Sequence, residues 1–302
     1  WLMRISRGFL MPAKEKFDFS GIHRYVRAYI RSMPRLDGKV VVDIPCGDGR
    51  STHEFLQKGA TVRPFDLFPE FMALEGVSAE FADLAEGLPL ADESVDYLLC
   101  QEGIEHLADQ LGALEEFNRV LKKGGTLILT TPSYSHARAR LATLALESDS
   151  WKRMPATEID SVRLSTRGTP RFYFGHIFFI GVQKLQTLAT LAGFRTERRL
   201  WNDVGGSSVV IGLLLYPLLA LLSLFTWATY RRRNRHVSQA VRDATYRERV
   251  ALALSPKTLF CKYTFRVFIK EHDKQDLIDK LQRGTVERDE AGISPLSPHP
   301  QD

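Results

Sequence analysis

The feature that most constrains this chain is a buried strand that runs directly into a glycine-containing turn. Residues 39–44 form an apolar, β-branched run of the kind found in parallel strands that are covered on both faces. The run ends in the turn Pro-Cys-Gly-Asp-Gly at 45–49, residues 51–58 are typical of a helix, and residues 61–65 predict a second strand that ends at Asp66. This β–turn–α–β unit indicates an α/β protein.

The same alternation continues along the chain. Further strands are predicted at residues 79–82, 95–100, 126–131, 194–201 and 259–270, and helices at residues 20–33, 110–121 and 182–192. Ser20 is the expected N-cap of the first helix. Together these elements predict a doubly wound, mostly parallel, seven-stranded sheet with an apolar helical insertion between its last two strands.

The pattern divides the chain into five segments. They are an N-terminal helical segment at 1–37, the core at 38–202, a hydrophobic and basic helical insertion at 203–258, the last core strand at 259–272, and a C-terminal helix with a disordered tail at 273–302. The N-terminal stretch lacks the continuous apolar run of a signal peptide. The three cysteines, Cys46, Cys100 and Cys261, form no C-x-x-C pair. We therefore expect a reduced, cytoplasmic location.

The charge of the chain bears on its partners. The net charge of +5 comes from 41 basic and 36 acidic residues, which nearly balance. The basic residues lie near both ends rather than along one motif, and no recognisable RNA-binding module is present. Nucleic acid is therefore disfavoured as a partner, and an anionic membrane surface is favoured.

Glycines and carboxylates at the strand ends predict a nucleoside site. Gly47 and Gly49 let the backbone turn sharply and approach a ligand where a Cβ would collide. Asp66 sits where a carboxylate can accept both hydroxyls of a ribose, and Asp83 ends the next strand. The turn lacks the third glycine of the dinucleotide fingerprint, so a pyrophosphate ligand is disfavoured.

Several segments resemble the motifs of the class I S-adenosylmethionine-dependent methyltransferases, and among these the type 11 and ubiquinone-biosynthesis O-methyltransferases. VVDIPCGDGR resembles the first motif, although Pro45 stands where that pattern has its first glycine. TVRPFDLFPE resembles the second motif, FADLAEGLPLADESVDYLLCQEGIEHLAD the third and fourth, and NRVLKKGGTLILTTP the stretch that enters the fifth strand. HIFFIGVQKLQTLATLAGF extends the likeness to the helix before the sixth strand.

The resemblance implies a Rossmann-like fold, S-adenosylmethionine as the cofactor, and a set of cofactor-binding residues. These are Asp43, Cys46, Gly47, Gly49, Asp66, Leu67, Asp83, Leu84 and Gln101. The two glycines would pass beneath the methionine moiety, Asp66 with Leu67 would hold the ribose, and Asp83 with Leu84 would face the adenine. Gln101 would border the site. Asp43 either contacts the ligand or ties the loop, and Cys46 is interpreted as packing within the turn.

An E-x-x-E-H arrangement follows the fourth strand. Glu102, Glu105 and His106 would share one face of a helical turn at the carboxyl edge of the sheet. Two carboxylates and an imidazole can hold Mg²⁺, which would acidify an acceptor hydroxyl. The resemblance to small-RNA 2′-O-methyltransferases implies His176 as a further ligand. Three hypotheses stay open: a metal site, His106 as a general base without metal, and a purely structural role.

Residues 209–230 carry no charge and are followed at once by four arginines, Arg231, Arg232, Arg233 and Arg235. The segment is long enough to span a bilayer, but it lies between two strands of one sheet, which argues against a single crossing. Pro217 predicts a shallow hairpin or an in-plane helix at the inner face of the membrane, with Trp227 and the arginines at anionic headgroups. The alternatives are a buried core or dimer helix and a true span.

Four functions follow from these features. The leading hypothesis is methylation of a hydroxyl on a lipid-soluble or lipid-linked acceptor, such as a quinone precursor or a glycolipid intermediate. The second is methylation of a soluble sugar or other small metabolite, with the apolar insertion forming a homodimer. RNA 2′-O-methylation and a non-catalytic protein that binds S-adenosylmethionine are the third and fourth.

Overall fold

The computed structural model describes residues 17–164, 171–230, 239–273, 275–276 and 279. Seven strands form the main sheet: β1 Val40–Asp43, β2 Thr61–Asp66, β3 Glu80–Phe81, β4 Val95–Gln101, β5 Leu121–Pro132, β8 Phe194–Arg199 and β9 Tyr263–Lys270. A separate two-stranded sheet consists of β6 Val162–Leu164 and β7 Phe172–Phe174. The helices are α1 Ile22–Ser32, α2 Arg50–Gln57, α3 Gln110–Val120, α4 Ala137–Leu146, α5 Glu158–Ser161, α6 Val182–Leu191, α7 Gly206–Tyr230, α8 Gln239–Leu254 and α9 Pro256–Phe260.

The order of the main sheet is β3-β2-β1-β4-β5-β9-β8. Strands β1 to β5 pair in parallel, whereas β9 is antiparallel to both of its neighbours. The predicted doubly wound, Rossmann-like sheet is therefore confirmed. The chain reverses its direction of winding between β1 and β4, and in such sheets ligands bind at the carboxyl ends of the strands beside that point.

Helices cover both faces of the sheet because each face is apolar. On one face Phe117 of α3 and Leu185 of α6 pack on the strands in one buried cluster. On the other face Val26 of α1 and Phe55 of α2 pack in a second cluster against β1 and β9. The residues that end β1, β2 and β4 are thereby held on a rigid edge.

Several element boundaries differ from the predictions: β5, for example, begins at Leu121 instead of residue 126. Two of the other differences have a local cause. Ser20 does not cap α1: the helix follows Gly21 without a side-chain cap, and the Ser20 hydroxyl donates to Asp18 instead. The predicted strand at 259–270 was wrong at its start, because Pro256 at the first turn favours the short helix α9 and the strand begins at Tyr263. Residues 1–16 and the predicted C-terminal tail lie outside the described residues.

The apolar segment forms one continuous helix, α7, with Pro217 in its interior. Of the two predicted forms, the hairpin was therefore wrong, whereas the in-plane helix at a membrane stays a prediction. Within the described residues α7 is the one helix that is long and apolar enough to cross a membrane. Of its 25 residues, which are all described, Ser208 and Gly212 alone are buried. The alternative of a core helix buried within this chain was wrong as well.

Both ends of α7 are held against the rest of the protein. Near its start, Gly212 lies against the ring of Phe260 in α9, where a Cβ would come within 2.7 Å. At its end, Tyr230 contacts Tyr246 of α8, with ring centroids 5.6 Å apart. Helix α8 is in turn bound to α6 by two hydrogen bonds between Gln183 and Arg249. The helix therefore lies along the protein, with most of its apolar side chains exposed.

Candidate active site at the carboxyl ends of β1 and β4

The Asp66 carboxylate joins the turns that follow β1 and β2. Its Oδ2 accepts a hydrogen bond from the backbone N–H of Gly47 at 2.8 Å, and its Oδ1 accepts one from Phe68 at 2.8 Å. The N–H of Cys46 also donates to the carbonyl of Phe65. Each carboxylate oxygen has two lone pairs, so both oxygens of Asp66 can still accept a ligand hydroxyl.

A cavity of about 160 Å³ opens beside the turn after β1. Its lining residues are His23, Asp43, Pro45, Cys46, Gly47, Asp48, Arg50, Ser51 and Gln101. Four residues that the sequence assigns to the cofactor thus come together here: Asp43, Cys46, Gly47 and Gln101. Gly47 is exposed at a φ of 54°, with open space where a Cβ would be. Gly49 is buried against Met72 and is the N-cap residue of α2.

Asp43 combines the two roles that the sequence left open. Its Oδ2 accepts a hydrogen bond of 2.6 Å from the Thr52 hydroxyl, which ties β1 to α2. Its Oδ1 is buried and has no hydrogen-bond partner among the described residues. Burial raises the pKa of Asp43 to about 7, and the bond from Thr52 opposes this increase. The carboxyl group can therefore either accept or donate a hydrogen bond toward the cavity near neutral pH.

His23 lines the same cavity, although the sequence analysis did not identify it. The Ser51 hydroxyl donates to Gln101 Oε1 at 2.9 Å, and Gln101 Nε2 lies 2.5 Å from His23 Nδ1. Because the amide nitrogen of Gln101 can only donate a hydrogen bond, Nδ1 of His23 acts as the acceptor. Burial, and then the charge of Arg50, lower the pKa of His23. Gln101 is thus fixed in orientation by Ser51 and His23.

The residues expected at the adenosine end lie beyond β2 and β3. Asp83 Oδ1 accepts a hydrogen bond from the Ala85 N–H, which closes the turn after β3. Leu84 packs against the buried core. The carbonyl of Leu67 accepts a hydrogen bond from Arg171. These three residues lie at the same sheet edge as Asp66, on neighbouring strand ends.

The E-x-x-E-H segment differs from its predicted geometry. Glu102 has a left-handed φ of 54°, and a single 3₁₀ turn covers Ile104–His106. The prediction that Glu102 shares a helical face with Glu105 and His106 was therefore wrong. Between them, Gly103 packs on the Pro45 ring, where a Cβ would come within 2.5 Å of Pro45 Cδ. This packing fixes the path of the chain after β4.

Three of the four predicted metal ligands converge. The nearest donor atoms of Glu105, His106 and His176 all lie within 4.8 Å of one another, whereas Glu102 is not part of this group. Glu105 is fully buried, and its Oε2 accepts a hydrogen bond of 2.9 Å from the Thr131 hydroxyl. Its Oε1 lies 4.0 Å from His176 Nε2 and has no hydrogen-bond partner in the described part of the chain.

The hydrogen bond from His106 to the carbonyl of Phe174 determines the tautomer of the ring. Its Nδ1 lies 2.6 Å from the carbonyl oxygen of Phe174, so Nδ1 carries the hydrogen and Nε2 is the acceptor. Burial lowers the pKa of His106 and of His176, and burial raises the pKa of Glu102 and of Glu105. At neutral pH both imidazoles are therefore uncharged.

A second, larger cavity of about 1020 Å³ begins at His106 and His176. Its other lining residues include aromatic, acidic, basic and aliphatic side chains: Tyr134, Glu147, Ser148, Asp149, Arg153, Met154, Ala156, Asp160, Arg163, Tyr173, Gly175, Ile177 and Phe179. The rings of Tyr134 and Phe179 are stacked with centroids 5.4 Å apart. This cavity can hold an acceptor much larger than a catechol or a single sugar.

Part of the chain is similar to known proteins. The family described as a methyltransferase domain matches residues 42–129, from β1 into β5. The ubiquinone biosynthesis O-methyltransferase of Xanthomonas campestris pv. campestris (strain B100) is 30% identical over 131 residues, which are 39% of this chain and 54% of that protein. The corresponding protein of Pseudomonas syringae pv. tomato is 31% identical over 115 residues, which are 34% of this chain and 48% of that protein.

The chain thus spans about half the length of the curated relatives that it matches. Among solved structures, an S-adenosylmethionine-dependent methyltransferase from Archaeoglobus fulgidus aligns with 82% of this chain and 94% of that chain. Its identity is 15% and its TM-score 0.47.

We predict that His106 titrates below the ordinary histidine pKa of 6.5, because burial penalises its charged form. The ring signals of His106, assigned with a His106→Gln variant, can be followed by NMR from pH 4 to pH 8. The same titration in urea serves as the control and should return the ordinary value. A folded-state pKa of 6.5 or higher would show that the site favours imidazolium, contrary to this assignment.

Proposed function

We propose that this chain, which carries a class I S-adenosylmethionine-dependent methyltransferase domain at residues 42–129, methylates a hydroxyl of a lipid-soluble or lipid-linked acceptor at the membrane. The observation that carries the proposal is that the cofactor and acceptor cavities meet at one short segment. Gln101 lines the cavity beside the β1 turn, and His106, five residues later, lines the large cavity. A methyl donor and an acceptor bound in these cavities would be neighbours.

The residues beside the first cavity are suited to bind a nucleoside that carries an amino-acid group. Asp66 offers two free lone pairs to the ribose, and the buried Oδ1 of Asp43 lacks a partner that a ligand would provide. Gly47 leaves its backbone exposed to the ligand. When bound, S-adenosylmethionine supplies a methyl group attached to a positively charged sulfur. The chain contributes position and the removal of a proton.

The proposed base is His106. Its Nε2 would accept the proton of the acceptor hydroxyl when that oxygen is methylated, while Nδ1 remains bonded to Phe174. The imidazolium that forms lies beside His176, whose Nε2 faces the Glu105 carboxyl at 4.0 Å. Glu105 and His176 are therefore positioning residues. Glu102 lies outside this cluster, and burial, together with the neighbouring Glu105 carboxylate, raises its pKa.

The same three side chains do not suit magnesium. Magnesium prefers six oxygen ligands, and this cluster offers one carboxylate and two imidazoles because Glu102 does not join it. Such a donor set is more typical of zinc or another transition metal. The cluster therefore does not supply the oxygen ligands of a magnesium site, and the proposal assigns proton removal to His106.

The acceptor class is inferred from the apolar surface. Both ends of α7 are held to the protein, so the helix lies in the plane of a bilayer rather than across it. Its exposed side includes Leu214, Leu221 and Phe225, each at least 64% exposed. Helix α8, which packs on α7, presents Arg247 and Glu248 to solvent, and these charges would be costly to bury in hydrocarbon. A monotopic attachment at the inner face accounts for both observations.

Exposed apolar side chains also flank the acceptor cavity. Leu144 of α4 is 84% exposed, Met154 at the cavity wall 82%, and Ile159 of α5 84%. Helix α4 packs on α7 at one end and leads into Glu147 at the cavity wall at the other. An apolar chain attached to the acceptor can therefore leave the cavity toward the membrane. Methylation of a soluble metabolite by a homodimer joined through α7 is the alternative that the membrane test addresses.

We predict that Asp66→Ala weakens binding of S-adenosylmethionine by at least about tenfold, since a charge-assisted hydrogen bond contributes roughly 1.5–3 kcal/mol. Calorimetry on the detergent-solubilised chain measures the dissociation constant. Asp92→Ala is the matched control, because this carboxylate is exposed and pairs with Arg119 away from the site. Thermal unfolding checks that both variants are folded. Equal affinity of wild type and Asp66→Ala would contradict the assignment of the ribose site.

We predict that Leu214→Glu with Leu221→Glu lowers co-flotation with phosphatidylglycerol-containing vesicles by at least about tenfold, because each charge must leave water or lift the helix from the bilayer. Leu56→Glu on α2 is the control, at a site 37% exposed and distant from α7. A wild type that sediments as a dimer without vesicles, and that does not float when vesicles are added, would favour the soluble alternative.

A further inference from the structure

The short strand β7 and its flanking residues contact both cavities. At one end, Arg171 Nη1 donates to the carbonyl of Leu67 at 2.9 Å. The guanidinium also stacks on the Phe81 ring, 4.5 Å from its centroid. Leu67 and Phe81 lie at the ends of β2 and β3, beside the residues proposed to hold the ribose and adenine. Arg171 thereby fixes β7 to the cofactor side of the site.

In the middle of the strand, the Tyr173 ring contacts both sides at once. Its centroid is 5.7 Å from that of Phe68 and 5.3 Å from that of His106, with edge-to-face geometry in both pairs. Phe68 is the residue whose N–H binds Asp66. One aromatic ring therefore bridges the neighbour of the ribose-binding carboxylate and the proposed base.

At the other end, β7 determines which nitrogen of His106 is free. The carbonyl of Phe174 accepts the His106 Nδ1 hydrogen. Two residues later, the His176 ring lies 4.8 Å from the His106 ring. One edge of the strand pairs with β6, whereas the side chains of Phe172, Tyr173 and Phe174 are all more than a third exposed. Beyond that pairing, the strand is joined to the site through Arg171, Tyr173 and Phe174.

We propose that β7 couples the two cavities, with Arg171 and Tyr173 as positioning residues. Ligand binding beside Asp66 orders the Leu67–Phe68 turn, this turn holds β7, and β7 fixes the orientation and tautomer of His106. The cofactor then increases the affinity for an acceptor that contacts His106. By thermodynamic linkage, that acceptor increases the affinity for the cofactor by the same factor. The inference rests on the proposed function for the identity of the first ligand.

The test uses the full chain labelled with ¹⁵N-histidine and S-adenosylhomocysteine as the probe. Ring nitrogen signals of His106, assigned with His106→Gln, are recorded with and without the probe, and calorimetry measures binding of the probe separately. In wild type we expect the His106 signals to shift on saturation. In Arg171→Ala and Tyr173→Ala we expect that shift to fall by at least about fivefold, with affinity for the probe lowered by less than about tenfold.

Two variants separate coupling from general damage to the strand. Tyr173→Phe keeps both ring contacts and should retain the wild-type shift. Phe172→Ala removes an exposed ring on the same strand that contacts Phe174 and should also retain it. The proposal is overturned if the probe binds wild type without moving His106, or if Tyr173→Ala retains the full shift. A folded wild type that fails to bind the probe would overturn the proposed function, and this inference with it.

Discussion

The site depends on two hydrogen bonds accepted by one carboxylate. Asp66 holds the N–H groups of Gly47 and Phe68, and so fixes the turns after β1 and β2 relative to each other. The first turn forms the wall of the cofactor cavity. The second carries Phe68, on which Tyr173 and then His106 pack. Loss of this carboxylate would therefore disturb both the nucleoside site and the contacts that reach the base.

Burial shifts the pKa values of the titratable side chains on the acceptor side of the site. Partial burial lowers the pKa of His106 and of His176, whose side chain is still 39% exposed, and full burial raises the pKa of Glu105. The packing of Pro45 on Gly103 sets the path between β4 and His106. The proline that departs from the usual first-motif glycine thus helps to place the proposed base, which links a change in the cofactor turn to the acceptor site.

The parallel strands and the residues at their ends could be predicted because a buried strand needs a continuous apolar run and its turn needs glycine. Gly47 and Asp66 followed from that reasoning, whereas Asp43 and Gln101 were implied by the resemblance to a known family. His23 could not be found, since one polar residue on an amphipathic helix looks the same whether it faces water or a cavity. Glu102 itself has a left-handed φ, and the periodicity of the sequence does not reveal such a backbone conformation. The continuity of α7 through Pro217 depends on tertiary packing at both of its ends.

The central claim is that His106 accepts a proton from a lipid-borne hydroxyl next to the bound methyl donor. The most direct measurement is transfer of tritium from methyl-labelled S-adenosylmethionine into the chloroform-soluble fraction of membranes from the source organism. The account predicts that wild type labels this fraction with or without a chelator, and that His106→Gln lowers the rate by about a hundredfold or more with unchanged cofactor binding. Label confined to water-soluble products, or a His106→Gln rate equal to wild type, would contradict it.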